Sequence, residues 1–168
     1  GVGFLRLPAG VELPAWLRGG KQENGHRAGT ENIPSIAAMV EVLAHLTAEV
    51  MPGVEAHEAE RKRFEQRIKQ LVPGLKIVSE EANRLWNTVA IILPAGENTW
   101  WAQKLDARGF QVATGSACST ADAAPSHVLE AQGIGSAEAR RMVRISAGWA
   151  TTARDWNDLA NALVEIAD

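Results

Sequence analysis

The stretch NTVAIIL, Asn87 to Leu93, is closed at once by Pro94 and Gly96. An aliphatic, β-branched run bounded by turn formers predicts a strand. A strand needs partners, and the chain offers several candidates. Leu75 to Val78 reads as a short strand, Phe110 to Ala113 as another, and MVRISAG, from Met142, alternates as a strand does. Val2 to Leu7 also reads as a strand, ended by Pro8 and Gly10. Helical patterns lie between them. Asn32 is placed to cap a helix with Pro34 in its first turn and Ile36, Met39, Val40, Leu43 and Leu46 on one stripe. A second helix carries Val54, Arg61, Phe64, Ile68 and Leu71 on one side and stops at Pro73-Gly74. Asn98 is placed to cap a third, with Trp101 and Leu105, and Gly109 ends it. APSHVLEAQG predicts a short helix and SAEARR a further turn or two. Thr152 caps the last, which turns Trp156, Leu159, Leu163 and Ile166 inward. Helices alternating with strands give an α/β or α+β class.

Seventeen basic and twenty acidic residues leave a net charge of -3, which gives no electrostatic reason to expect nucleic acid or an anionic membrane. The basic run ERKRFEQRIK is interleaved with Glu and reads as a solvated helix face. No continuous apolar stretch reads as a membrane span. The single cysteine excludes an internal disulfide and a multi-cysteine metal site. With no secretory signal, a cytoplasmic location is expected. The chain lacks an initial Met and opens inside what reads as a strand, so residues upstream are expected.

The cysteine, Cys118, stands in ATGSACSTAD among small and hydroxyl residues. A thiol kept for packing has bulky neighbours; this one is presented, on a loop that follows a strand. As a nucleophile it would need a nearby positive charge or helix N-terminus to lose its proton. The alternative is an ordinary buried thiol. His127 is either a base for the cysteine or a surface histidine, and the second is favoured because no orienting Asn or Asp is identifiable. Arg144, between Val143 and Ile145, faces away from the core if they face it. A guanidinium fork there could grip a carboxylate in two places or serve a structural ion pair. In GHRAGTEN, Thr30 and the glycines could present donors to an anion, or the stretch is a plain loop before a helix cap. GIGSAE reads as a turn between helices.

Together, GGKQENGHRAGTEN, WNTVAI, ATGSACSTADAAPSHVL and VRISAGWATT, in that order, resemble the C-terminal half of a cysteine desulfurase. That family consists of pyridoxal-phosphate enzymes of the class V aminotransferase group. The likeness is to the branch with a long cysteine loop. It implies an α/β chain with an α+β small domain, the C-terminal segment of a fold type I enzyme, its small sheet packed by helices. Residues 1–50 would end the large cofactor domain, and 51–168 would form the small domain with the cysteine loop.

The resemblance implies that Cys118 takes sulfur from L-cysteine and carries it as a persulfide. It implies that Arg144 binds the substrate carboxylate and that Thr30 reaches the cofactor phosphate of the partner in a homodimer. The sulfur acceptor would be a protein such as an iron–sulfur scaffold. Lys21, Trp86, Ala124 and Trp149 depart from the family pattern. The cofactor-binding lysine belongs to the family's other half, and none of the lysines here matches its motif, so the chain alone is expected to be inactive. A persulfide carrier with a separate partner, and a lyase acting on selenocysteine or cysteine sulfinate, are the competing readings.

Overall fold

The computed structural model describes residues 1–115 and 126–167. They fall into two compact units, Gly1–Pro52 and Gly53–Asp168.

The second unit is built on an antiparallel sheet of β1 (Lys76–Ile77), β2 (Thr88–Ile92) and β3 (Met142–Ser146), in that order across the sheet. The register sets Val89 opposite Ile145 and Ile91 opposite Val143. Directly opposed residues share a face, so these four form one apolar surface, and all are buried. Three helices cover it. Phe64 and Ile68 come from α2 (Val54–Leu71), Trp101 and Leu105 from α3 (Asn98–Asp106), and Trp156, Leu159 and Leu163 from α6 (Ala153–Ala167). Phe64 and Trp156 meet with ring centroids 4.7 Å apart. Among the described residues the opposite face is covered only in part. Ile92 and Met142 pack with Leu129 of α4 (His127–Ala131) and Ala139 of α5 (Ser136–Ala139). The cross-strand pairs Ala90–Arg144 and Thr88–Ser146 continue this face, with Ala90 still packed against that cluster.

The helix ends follow their sequence signals. Thr152 and Asp155 form a reciprocal cap on α6. The Thr152 amide and hydroxyl both donate to Asp155 Oδ2 at 2.7 Å, and the Asp155 amide donates to Thr152 Oγ1 at 3.3 Å. For α3 the capping position is Glu97, and Asn98 is the first helical residue. Of the residues expected to face inward on α2, Leu71 is exposed, because the helix ends there and the chain turns away at Pro73-Gly74. The expected strand at Phe110–Ala113 reduces to a single bridge, Ala113 with Arg144.

The run ERKRFEQRIK is not wholly a solvated face. Arg61 and Glu65 are buried. Arg61 Nη1 donates to Glu65 Oε1 at 2.7 Å, and Arg84 grips both oxygens of the same carboxylate at 2.9 and 3.0 Å. Glu65 is thus shared by two guanidinium groups that would be costly to desolvate unpaired, and Glu58 lies 3.5 Å from Arg61 Nη2 on its other side.

In the first unit, α1 (Ile33–His45) begins at Asn32, whose side chain accepts from the Ser35 amide at 3.3 Å. It runs on through a π-type turn, Leu46–Val50, and a 3-10 turn, Met51–Gly53. No residue of α1 is buried. The strand expected at Val2–Leu7 is absent: no other segment pairs with it among the described residues, and Phe4 and Leu5 are exposed. The helical residues Ile33–Leu71 contain an 18-residue window with mean hydropathy 1.4. By length and composition alone that is enough to cross a membrane, and Glu41 and Glu49 interrupt its apolar run.

Two outcomes follow from these contacts. Glu65→Ala takes the carboxylate from Arg84 and leaves Arg61 only the 3.5 Å contact with Glu58, and should cost about 3–5 kcal/mol, read as a lower urea midpoint; a loss under about 1 kcal/mol would mean the cluster is solvated. The bonds from the Thr152 amide and hydroxyl hold the Asp155 carboxyl below its ordinary value of 3.8. A depressed carboxylate contributes stability above its unfolded pKa and loses it as pH falls through its folded pKa. An NMR titration should therefore place Asp155 below 3.8, and Thr152→Ala, which removes the hydroxyl and keeps the amide, should move it part of the way back up.

Candidate functional site

The sequence singles out Thr30, Cys118 and Arg144. Thr30 lies in the first unit and Arg144 in the second. Cys118 lies outside the described residues, as does Pro125.

Arg144 stands at the middle of β3, exposed between the buried Val143 and Ile145. Alternation along the strand explains this, as the sequence suggested. Its backbone is fixed from both edges. It lies opposite Ala90 in the ladder with β2, and on the other edge it exchanges two bonds with Ala113, at 2.9 and 2.8 Å. Among the described residues no carboxylate lies within ion-pair distance of its guanidinium. The side chain rises from a patch of small residues, with Ala90, Thr88 and Ser146 on the same face. The structural ion pair left open by the sequence is therefore not formed with any described residue. A fork-shaped cation with a rigid base and a small-residue floor suits a small carboxylate.

The Ala113 bridge also fixes where the cysteine segment begins. Thr114 and Gly115 follow it, and Gly115 takes a φ of 72°, a conformation that favours glycine. Downstream, the chain is described again from Ser126, and Leu129 is anchored beside Met142 and Ile92. Ala113, bridged to Arg144, and Leu129, packed on Met142 and Ile92, are thus the points on either side of 116–125 that are tied to β2 and β3. His127 opens α4 and is exposed.

In the first unit, Leu17 and Arg27 form an isolated parallel bridge, and the Ala28 amide donates to the Leu17 carbonyl at 2.9 Å. The Arg27 guanidinium donates to the Gly29 carbonyl at 3.1 Å. Gly29, with φ 101°, then turns the chain so that Thr30 is exposed ahead of α1. A Cβ on Gly19 would come within 3.0 Å of the Ala28 side chain, so these two stretches lie close together because one side is glycine.

Sequence reasoning placed no function on Asn87, although it stands in a motif. Asn87 Nδ2 donates to the Ala147 carbonyl at 3.1 Å, and the Ala147 amide donates to the Asn87 carbonyl at 2.8 Å. The partners are sixty residues apart, so no local spacing announces them.

Residues 1–159 match the family model for class-V aminotransferases. A cysteine desulfurase of Cereibacter sphaeroides is 35% identical over 170 residues, covering 100% of this chain and 43% of that protein. A cysteine desulfurase IscS of Dictyoglomus turgidum is 31% identical over 168 residues, with the same shares. Among solved structures, a NifS-like protein from Rickettsia africae ESF-5 superposes with a TM-score of 0.73 at 29% identity, over 93% of this chain and 40% of that one. SspA in complex with cysteine does so with a TM-score of 0.57 at 30% identity, over 82% and 36%. The chain thus spans less than half the length of the curated relatives it matches. With nearly its whole length inside the family model, and with a mixed fold shared with NifS-like proteins, the chain belongs to the aminotransferase class-V family.

Proposed function

We propose that this chain is the sulfur-handling part of a cysteine desulfurase, an enzyme that converts L-cysteine to L-alanine and leaves the sulfur on an enzyme thiol. The observation that carries the reading is the placement of Arg144. It is exposed on a rigid strand, bridged to Ala113, and Cys118 follows Ala113 by five residues. The names of the relatives and their identities of 29–35% support the same reading.

The cofactor of such an enzyme is pyridoxal 5′-phosphate. The first unit fits its phosphate chemically: an exposed hydroxyl, Thr30, follows a glycine with positive φ, next to the Arg27 guanidinium. When bound, the cofactor draws electrons from the substrate α-carbon and weakens the carbon–sulfur bond. The rest falls to this chain's own residues. Arg144 holds the substrate carboxylate in two-point contact and orients the sulfur. The Cys118 thiolate forms the S–S bond as the carbon–sulfur bond breaks, and the small residues around it leave it open to substrate and then to an acceptor. The acceptor would be a protein thiol or an iron–sulfur scaffold, the protein would be a homodimer in which Thr30 serves the partner's cofactor, and the site of action would be the cytoplasm.

In the cofactor-loaded protein that contains this chain, Cys118→Ser should abolish persulfide, detected as a mass gain of one sulfur after incubation with cysteine. An unchanged rate of alanine formation would refute the role of Cys118. Arg144→Ala should raise KM for cysteine at least about tenfold, in line with loss of a charge-assisted bidentate contact. An unaltered dependence on cysteine concentration would remove Arg144 from the site.

A further inference from the structure

A strand-borne arginine is only as well placed as the strand. At Arg144, β3 is held from both sides, by Ala113 on its outer edge and by β2 on its inner edge. Two residues further on the outer edge is open. The segment before Ala113 diverges, and a cavity of about 170 Å³ lies between Phe110, Gln111 and Val112 on one side and Ile145, Ser146 and Ala147 on the other. Among the described residues, Ala113 alone bridges that edge. The end of β3 therefore depends on β2, whose last paired residue is Thr88, opposite Ser146.

Asn87 supplies what is missing. In an antiparallel ladder a hydrogen-bonded pair exchanges two backbone bonds. At Asn87 and Ala147 one of them is regular, from the Ala147 amide to the Asn87 carbonyl at 2.8 Å. The other is made by the side chain, Asn87 Nδ2 donating to the Ala147 carbonyl at 3.1 Å. A carbonyl can only accept, so the amide nitrogen must face it. The other end of the amide is fixed as well, since Oδ1 accepts from Thr88 Oγ1 at 3.1 Å. Both ends of the side chain are thus assigned, and the residue beyond Ala147 is already turning away: the Gly148 amide donates to Thr151 Oγ1 at 3.0 Å.

We propose that Asn87 is a positioning residue for the substrate. Its amide completes the ladder at the open end of β3 and so fixes the strand from which Arg144 grips a carboxylate. The inference rests on the substrate-binding reading of Arg144. It concerns geometry rather than folding, because the backbone bond from Ala147 to Asn87 and the whole of the β2–β3 register remain when the side chain is removed. What is lost is the fixed angle of the strand end, and errors of about an ångström in a substrate-holding group can cost up to about a hundredfold.

The test is a double-mutant cycle in the cofactor-loaded protein that contains this chain. Asn87→Ala should raise KM for cysteine about tenfold and change kcat less than about twofold. Arg144→Ala should raise KM at least as much, and the double variant should be no worse than Arg144→Ala alone, since Asn87 acts only through Arg144. Asn87→Asp keeps the acceptor for Thr88 and sets a carboxylate oxygen, which repels, against the Ala147 carbonyl in place of the donor, so it should give at least as large a rise in KM and stands in should the alanine variant fail to fold. If Asn87→Ala and Asn87→Asp leave KM unchanged while Arg144→Ala raises it, the positioning role is overturned and the reading of Arg144 survives. If the two effects add in full, Asn87 does not act through Arg144 and the proposal falls. If Arg144→Ala itself leaves KM unchanged, the reading beneath the proposal is overturned with it.

Discussion

The antiparallel pairing of β2 with β3 is the constraint on which the rest of the unit Gly53–Asp168 depends. Side chains alternate along a strand, so a slip of one residue reverses every face. In the observed register Val89, Ile91, Val143 and Ile145 share the core and Arg144 points out of it. If β3 slipped by one residue, Arg144 would enter that core and Val143 and Ile145 would leave it. An unpaired buried guanidinium alone costs several kcal/mol, comparable with the whole stability of many domains. The same alternation that builds the core therefore also delivers Arg144 to the opposite face.

Among the described residues that opposite face is finished unevenly, and the candidate site lies where the cover ends. The long helices α2, α3 and α6 carry enough apolar residues to seal one side. On the other, α4 and α5 are short and bring only Leu129 and Ala139 to the cluster. They cover Ile92 and Met142 and reach Ala90, and they leave Thr88, Arg144 and Ser146 outside the cluster. Small and hydroxyl side chains tolerate that position, where larger apolar ones would be driven to find cover.

What could be read from the sequence was whatever is encoded locally. The stripe on α6, the Asn32 and Thr152 caps and the outward turn of Arg144 all follow from spacing along one element. What could not be read depends on distant partners. Phe110–Ala113 has a strand's composition, yet it joins the ladder only at Ala113 because the neighbouring stretch of β3 lies across a cavity. Arg61 and Glu65 look like one more solvated pair until Arg84, nineteen residues from Glu65, closes over them. Val2–Leu7 has a strand's pattern and finds nothing among the described residues to pair with. The cysteine segment was legible only in its composition and in the family likeness, since 116–125 lie outside the described residues.

The buried ion cluster and the candidate site are connected through a short length of chain. Arg84 is clamped to Glu65 of α2, and Trp86 lies against His57 of the same helix with ring centroids 5.0 Å apart. Asn87 comes next, and then β2 begins. In the family resembled, a proline often precedes this asparagine and would restrict the backbone covalently. Here Trp86 occupies that position, and contact with α2 performs the restriction instead. The approach to Asn87 is thus set by two side-chain anchors on one helix, one ionic and one aromatic, and the strand pair that displays Arg144 starts from a chain already fixed in direction. A helix whose first task is to cover the core also fixes the entry to the strand pair that presents the substrate-facing arginine of the proposed function.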